Sequence, residues 1–271
     1  VDKALTIFRF VLDMKTKSLS LTKPCDCELL LVAYSDVLDV STEKLYSNRK
    51  DKALHDEIAT LFFKIGSIHE KLHQYHDAVL FYNKSLKIRQ IRKDYNDIGV
   101  ILNSLGIAHA KRRSFKKAFR CFSDSLAIRK TIFGDKHKEV AETLHNMGNC
   151  AAKRKDFDNA SIYYEQSLII KKMNYGDMSE STAKTIQNIG MVNEELGLLD
   201  DAFNYYRDAL RIRTEILDQH DLDIAFSLHS VGTIHRKKNE ISKAQDCFTK
   251  ALHIKKQHYI IDHLSIAETL H

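Results

Sequence analysis

The sequence predicts an all-α chain, a right-handed α-solenoid of antiparallel helix hairpins, and three observations lead there. Among 271 residues there is one proline, Pro24, and only nine glycines, so long stretches run without a helix breaker. Alternating apolar and polar strands bounded by turn pairs are absent. Most tellingly, five glycines recur in register at Gly66, Gly106, Gly148, Gly190 and Gly232, spaced by 40, 42, 42 and 42 residues.

Other positions keep step with those glycines. Twelve residues after each stands an alanine: Ala78, Ala118, Ala160, Ala202 and Ala244. Four further on stands an aromatic: Tyr82, Phe122, Tyr164, Tyr206 and Phe248. Each unit then closes on a Leu-x-Ile pair, as in Leu126–Ile128 and Leu210–Ile212. A glycine inside a helix costs roughly 1 kcal/mol relative to alanine, so five in register need a packing reason. The reading is a hairpin in which the small glycine and alanine let two helices approach, with the aromatic filling the space beside them. No hairpin buries its apolar face alone; stacked neighbours do.

The order small residue, Gly, Ala, aromatic, small residue, Leu resembles the tetratricopeptide repeat. The usual Trp is replaced by Phe62, Leu102, Leu144, Ile186 and Leu228, and the closing Pro is missing. The longer period comes with its own insert, GDKHKEVAETLH at 134–145, GDMSESTAKTIQ at 176–187 and LDQHDLDIAFSLH at 217–229. That insert resembles the kinesin light chain type of repeat, although the proline usual after the loop histidine is absent. The resemblance implies a superhelix of such repeats over about 52–271, acting as a scaffold or adaptor.

In chain order, residues 1–17 read as the second helix of a truncated repeat, with Ala4 and Phe8 in the alanine and aromatic places. Residues 18–51 read as a degenerate repeat. Pro24 opens its first helix, and Ser41 or Thr42 caps a second, shorter one; an insertion that meets a partner is the alternative. Residues 52–259 hold five repeats, with turns expected near 72–75, 112–115, 154–157, 196–199 and 238–241. Residues 260–271 start another, since AETLH at 267–271 repeats 141–145. Both ends cut through a repeat, so the parent protein is expected to continue in both directions, or another element to cover the ends.

The resemblance places a ligand on the concave face, lined by the first helices. Extending the register puts Asn103 and Ile107, His145, Asn149 and Lys153, Gln187, Met191 and Glu194, and His229, Thr233, Arg236 and Lys237 on that wall. Asn146 and Asn188, two residues before their glycines, fall where family asparagines bind a peptide main chain. An amide offers donor and acceptor together. Lys184 and Arg236 are the basic residues on offer, but they form no tight cluster of the sort that clamps a C-terminal carboxylate. The expected partner is a protein or peptide segment within a larger assembly. Alternatives are a regulatory repeat region that holds its own chain inhibited, and a nucleic-acid-binding helical repeat.

Composition narrows the field. A net charge of +6, from 42 basic and 36 interspersed acidic residues, is mild for this size and argues against nucleic acid. Basic runs at Lys111-Arg112-Arg113, Lys116-Lys117, Lys153-Arg154-Lys155 and Arg236-Lys237-Lys238 fall at the hairpin turns and read as a solvated edge. Cys25, Cys27, Cys121, Cys150 and Cys247 show no metal or disulfide spacing, and with no leader sequence they suggest reduced thiols in the cytoplasm. His69, His73 and His76 have suggestive spacing, but His69 repeats in the same place as His109 and His235, which is a structural pattern. No phosphate-binding glycine loop or nucleophile elbow is present, no apolar run spans a membrane, and neither catalysis nor a cofactor or metal is expected.

Overall fold

The computed structural model describes residue 13 and residues 24–47 and 51–258. The helices expected over 1–17 and after 260 lie outside the described residues, apart from Asp13. The described residues form eleven α-helices and no strand. They divide into two compact units, Val1–Gly134 and Asp135–His271.

The first unit contains α1 (Pro24–Ser47), α2 (Lys52–Lys71), α3 (Tyr75–Arg92), α4 (Tyr95–Lys111) and α5 (Phe115–Phe133). Pro24 does begin α1, but no second helix starts at Ser41 or Thr42. Neither Gly nor Pro interrupts the segment after Pro24. Ser41 is fully buried within the helix, and the Thr42 hydroxyl donates back to the Asp39 carbonyl. Cys27, Leu30, Tyr34 and Val37 of α1 form one core with Leu54, Ile58, Leu61 and Ile65 of α2. A single long helix therefore covers the first hairpin.

The second unit contains three hairpins: α6 (Lys138–Lys153) with α7 (Phe157–Tyr175), α8 (Glu180–Glu195) with α9 (Leu199–Ile216), and α10 (Leu222–Lys237) with α11 (Ile241–His258). The insert motif supplies their starts. His137, Ser179 and Asp221 stand one period apart, and each side chain accepts a backbone N–H in the first turn of its helix.

All five hairpin turns use one device. The amides of Gln74, Ser114, Asp156, Leu198 and Glu240 each donate to the carbonyl five residues back, closing the first helix with a left-handed residue just before. That residue is Gly197 once and His73, Arg113, Lys155 and Asn239 elsewhere, with φ near +60° in the non-glycine cases. The short chain reversal, rather than a local glycine preference, imposes the conformation.

Within each hairpin the registered glycine meets an aromatic ring. A Cβ at Gly148 would stand 2.6 Å from the Tyr164 ring, and one at Gly66 or Gly190 would stand 2.7 Å from Tyr82 or Tyr206. Gly106 meets Phe122 and Gly232 meets Phe248 in the same way. The ring is the nearest neighbour of each registered glycine, and at Gly66 the alanine is close as well, with Ala78 O 3.3 Å from such a Cβ. The alanine one turn before the ring carries only a methyl group, which leaves the ring room to reach the glycine. Below the ring, the hydroxyls of Ser85, Ser125 and Ser167 donate to the carbonyls of Ala59, Gly99 and Ala141 at 2.7, 2.7 and 2.8 Å. Ala209 and Ala251 take the serine's place in the last two repeats.

Changing Gly148 to alanine sets two effects against each other. Helix propensity favours alanine by about 1 kcal/mol, whereas overpacking against a buried ring costs roughly 1–3 kcal/mol, and larger side chains cost more. Tyr164 is fully buried and its hydroxyl is tied to Asn149, so the ring has little freedom to yield. Urea unfolding is expected to show Gly148→Ala less stable than the wild type and Gly148→Leu less stable still. A rise in stability for the alanine variant would mean that the ring moves aside freely.

Candidate functional site

The first helices of the second unit, α6, α8 and α10, carry most of the residues singled out by register, and these divide into two groups. His145 and Gln187, each three residues before its glycine, are 3% and 1% exposed. They link neighbouring first helices. Asn188 Nδ2 donates to Asn149 Oδ1 at 2.9 Å and lies 3.3 Å from His145 Nε2. His145 Nε2 is thereby the acceptor, and Nδ1 carries the proton towards Thr185 Oγ1 at 3.1 Å. Thr185 in turn donates to the Ser181 carbonyl. Tyr164 OH also donates to Asn149 Oδ1, at 2.8 Å.

A second chain of hydrogen bonds joins the next pair of helices. Arg213 Nη1 donates to Ser227 Oγ at 2.7 Å, Ser227 donates to Gln187 Oε1, and Gln187 Nε2 donates to Ser230 Oγ at 2.8 Å. Asn149 and Asn188 are half-buried, and the hydrogen bonds just described hold both amides. His229 is half-buried with its ring against Phe248, 5.1 Å between centroids.

The remaining residues face outwards. Lys153, Lys184, Met191 and Arg236 are exposed, and Asn146 is half-buried. Lys184 and Met191 lie seven residues apart on α8, on one face of the helix. Phe226 of α10 occupies the register of Lys184 and is 46% exposed, while Met191 is 40% exposed. Phe226 lies outside the positions expected from register; its signal in the sequence is a large apolar side chain at a position that carries Glu142 and Lys184 in the preceding repeats. In the first unit, Asn103 and Ile107 are half-buried on α4.

A recurring cation also escaped the sequence reading. Arg89, Arg129, Lys171 and Arg213 each follow the isoleucine of the Leu-x-Ile pair, and all four are buried. Arg89 Nη1 lies 2.9 Å from Asp56 and 3.1 Å from Asp94, and Nη2 lies 2.9 Å from Asp97. Arg213 pairs with Glu180 at 3.0 Å, and Lys171, 1% exposed, with Glu142 at 3.2 Å. Burial lowers the Lys171 pKa and Glu142 opposes the shift. These cations clamp second helices to first helices. The constant basic residue after Ile was legible as a repeat feature; its burial was not.

Burial pushes the Cys150 thiol up to about 11, which leaves it protonated and unreactive at neutral pH. His69 Nδ1 and His73 Nδ1 sit at hydrogen-bonding distance from Gln74 Oε1 and Tyr75 OH in their turn. Among the described residues no group of three His, Cys, Asp or Glu side chains is placed to hold a metal ion, and no helix is long and apolar enough to cross a membrane.

An all-helical array of registered hairpins, each closed by a glycine–aromatic contact, defines a helical-repeat protein. Tetratricopeptide repeat models match residues 59–91, 97–172 and 181–257, more than half of the chain. The chain belongs to the tetratricopeptide repeat family. No curated protein matches it in sequence. Among solved structures, BtubC (BKLC) from P. vanneervenii is similar with a TM-score of 0.73 at 18% identity, covering 88% of this chain and 94% of that one. The nearly identical TPR-like repeats described as a kinesin light chain of Podosopora anserina give a TM-score of 0.63 at 13% identity, covering 75% and 97%. The apo form of the quorum sensor NprR from B. thuringiensis gives 0.71 at 14% identity, covering 98% and 66%. At these identities the likeness is one of fold.

The His145 network carries a pH dependence. Burial, with help from the charges of Lys171 and Lys184, pushes the imidazole pKa down to about 3. The unfolded chain takes up this proton below about pH 6.5, whereas the folded chain resists it until about pH 3. Folded stability from this residue is therefore complete above about pH 6.5 and is lost as the pH falls towards 3, by about 2 kcal/mol at pH 5. Melting at pH 7.5 and at pH 5.0 is expected to fall further for the wild type than for His145→Gln. Equal losses in the two proteins would show that His145 is protonated in the folded state without penalty.

Proposed function

We propose that the second unit is an interaction module that captures a protein or peptide segment on the outward face of α6, α8 and α10. The observation that carries this reading is the pair Met191 and Phe226. Two large apolar side chains stand exposed on neighbouring first helices, on a face otherwise furnished with Lys153, Lys184, Arg236 and the half-buried Asn146. Apolar anchors among polar neighbours suit a helix or extended segment laid across several parallel helices. Membership of a repeat family and the likeness in fold to a quorum sensor support a binding role. The hydrogen-bonded interior beneath gives the face a rigid floor, so that binding needs little reordering of the array.

His145, Gln187 and Asn188 serve this site from below, by fixing the spacing of the first helices. Direct contact falls to Met191, Phe226, Lys184 and Asn146, with Lys153 and Arg236 at the margins. The partner belongs to a larger assembly in this reading, and the array works as an adaptor.

A photo-crosslinking residue placed at Met191 identifies the bound segment, with the same residue at Leu198 in the hairpin turn as a comparison. Met191→Ala combined with Phe226→Ala is expected to weaken that segment at least tenfold with helix content and melting unchanged. Burying side chains of this size is worth about 1.5–3 kcal/mol each. Adding Asn146→Ala removes roughly 0.5–1.5 kcal/mol more. Lys116→Ala with Lys117→Ala, in the first unit, is expected to leave affinity within about twofold, since exposed charges are screened by salt. The opposite ranking would move the interface to the hairpin turns.

A further inference from the structure

The turn between α4 and α5 differs from the other four in its charge. Residues 98–123 contain no acidic residue, yet Lys111, Arg112, Arg113, Lys116, Lys117 and Arg120 fall within them. All six are exposed. Lys116, Lys117 and Arg120 share one face of α5 through their three- and four-residue spacing, and Arg112 and Arg113 stand in the turn beside it.

Other turns carry acidic residues beside their cations or pair some of them. Lys237 pairs with Glu194 at 2.7 Å and Lys238 pairs with Asp200, while Asp156 and Asp158 follow Lys153–Lys155 directly. None of the six residues at 111–120 lies within ion-pair distance of a carboxylate among the described residues. Glu70, whose charge Lys111 senses, is engaged by the Tyr82 hydroxyl at 2.8 Å. The uncompensated field reaches inwards. His109, buried one turn before Arg113, is held below its ordinary pKa first by burial and then by Lys117 and Arg112.

We propose that this turn is a second binding surface, separate from the first-helix face, that receives a phosphorylated segment of a partner protein. Five positive charges within residues 111–117 make a compact focus suited to a dianion. Adjacent arginines supply planar forked donors that fit phosphate oxygens in pairs, with lysines adding point charge around them. Such arginine-rich clusters are a recurring mode of phospho-motif recognition. A nucleic acid fits less well. A strand needs a longer basic track and exposed rings for stacking, but Phe115 and Phe119 are half-buried, and the neighbouring α2–α3 turn carries Asp77. A membrane fits less well too, because no large apolar side chain between residues 96 and 131 is exposed for insertion.

The test uses the full chain and four probes: a fluorescent peptide bearing two phosphoserines, its serine and glutamate counterparts, a single-stranded oligouridine, and vesicles containing phosphatidylserine. Fluorescence anisotropy is expected to show the phosphoserine peptide bound at least tenfold more tightly than either counterpart. Arg112→Gln with Arg113→Asn is expected to remove that preference. Asparagine is chosen because it tolerates the left-handed backbone at 113. The Met191→Ala, Phe226→Ala variant is expected to keep the preference, which separates this surface from the first-helix face. The His109 imidazole resonances should shift to a higher pKa as the peptide neutralises the turn. Equal binding of the glutamate peptide, tighter binding of oligouridine or vesicles, or an intact preference in the arginine variant would each overturn the proposal.

Discussion

The contact between a glycine and an aromatic ring sets the distance between the two helices of every hairpin, and the rest of the array depends on that distance. Because the first helix has no side chain at this point, the ring of Tyr82, Tyr164 or Tyr206 lies against backbone. The ring is then positioned for its hydroxyl to reach back to the first helix. Tyr82 donates to Glu70, Tyr164 to Asn149 and Tyr206 to Glu194, at 2.7–2.8 Å. The serine-to-carbonyl bonds seen in three hairpins also require close approach. Where alanine replaces serine, the same spacing is kept without the bond, so the ring contact is the common element.

Once hairpins have a fixed width, polar side chains can bridge from one to the next. The buried cations tie each hairpin together through Arg89–Asp56, Lys171–Glu142 and Arg213–Glu180, and two of them also reach the next hairpin, Arg89 through Asp94 and Asp97 and Arg213 through Ser227. His145, Asn188, Gln187 and Ser227 do so with neutral hydrogen bonds. Burying such groups is tolerable only when they are satisfied, so each bridge specifies one register between neighbours. This gives the first-helix face a defined shape, with Met191, Phe226, Lys184 and Arg236 exposed on it. Function in this family of folds lies on such surfaces, and the interior exists to hold them still.

The sequence by itself determined the all-helical hairpin array and its period, because packing at the glycine, alanine and aromatic positions repeats in every copy and leaves a pattern in the chain. It also placed the five turns, since the constraint there is local. It did not reveal that α1 runs unbroken from Pro24 to Ser47, because Ser41 is compatible with both a cap and a buried helix interior, and only packing against α2 selects between them. Nor could register alone divide the first-helix residues. Register assigned His145 and Met191 alike to the binding wall, yet His145 packs against Tyr164 of its own second helix and meets Thr185 of the next first helix, while Met191 meets solvent. That division, like the pairing of buried cations and the unbalanced charge of the α4–α5 turn, was decided by tertiary structure, because burial and charge compensation depend on neighbours about thirty to forty residues away in the chain.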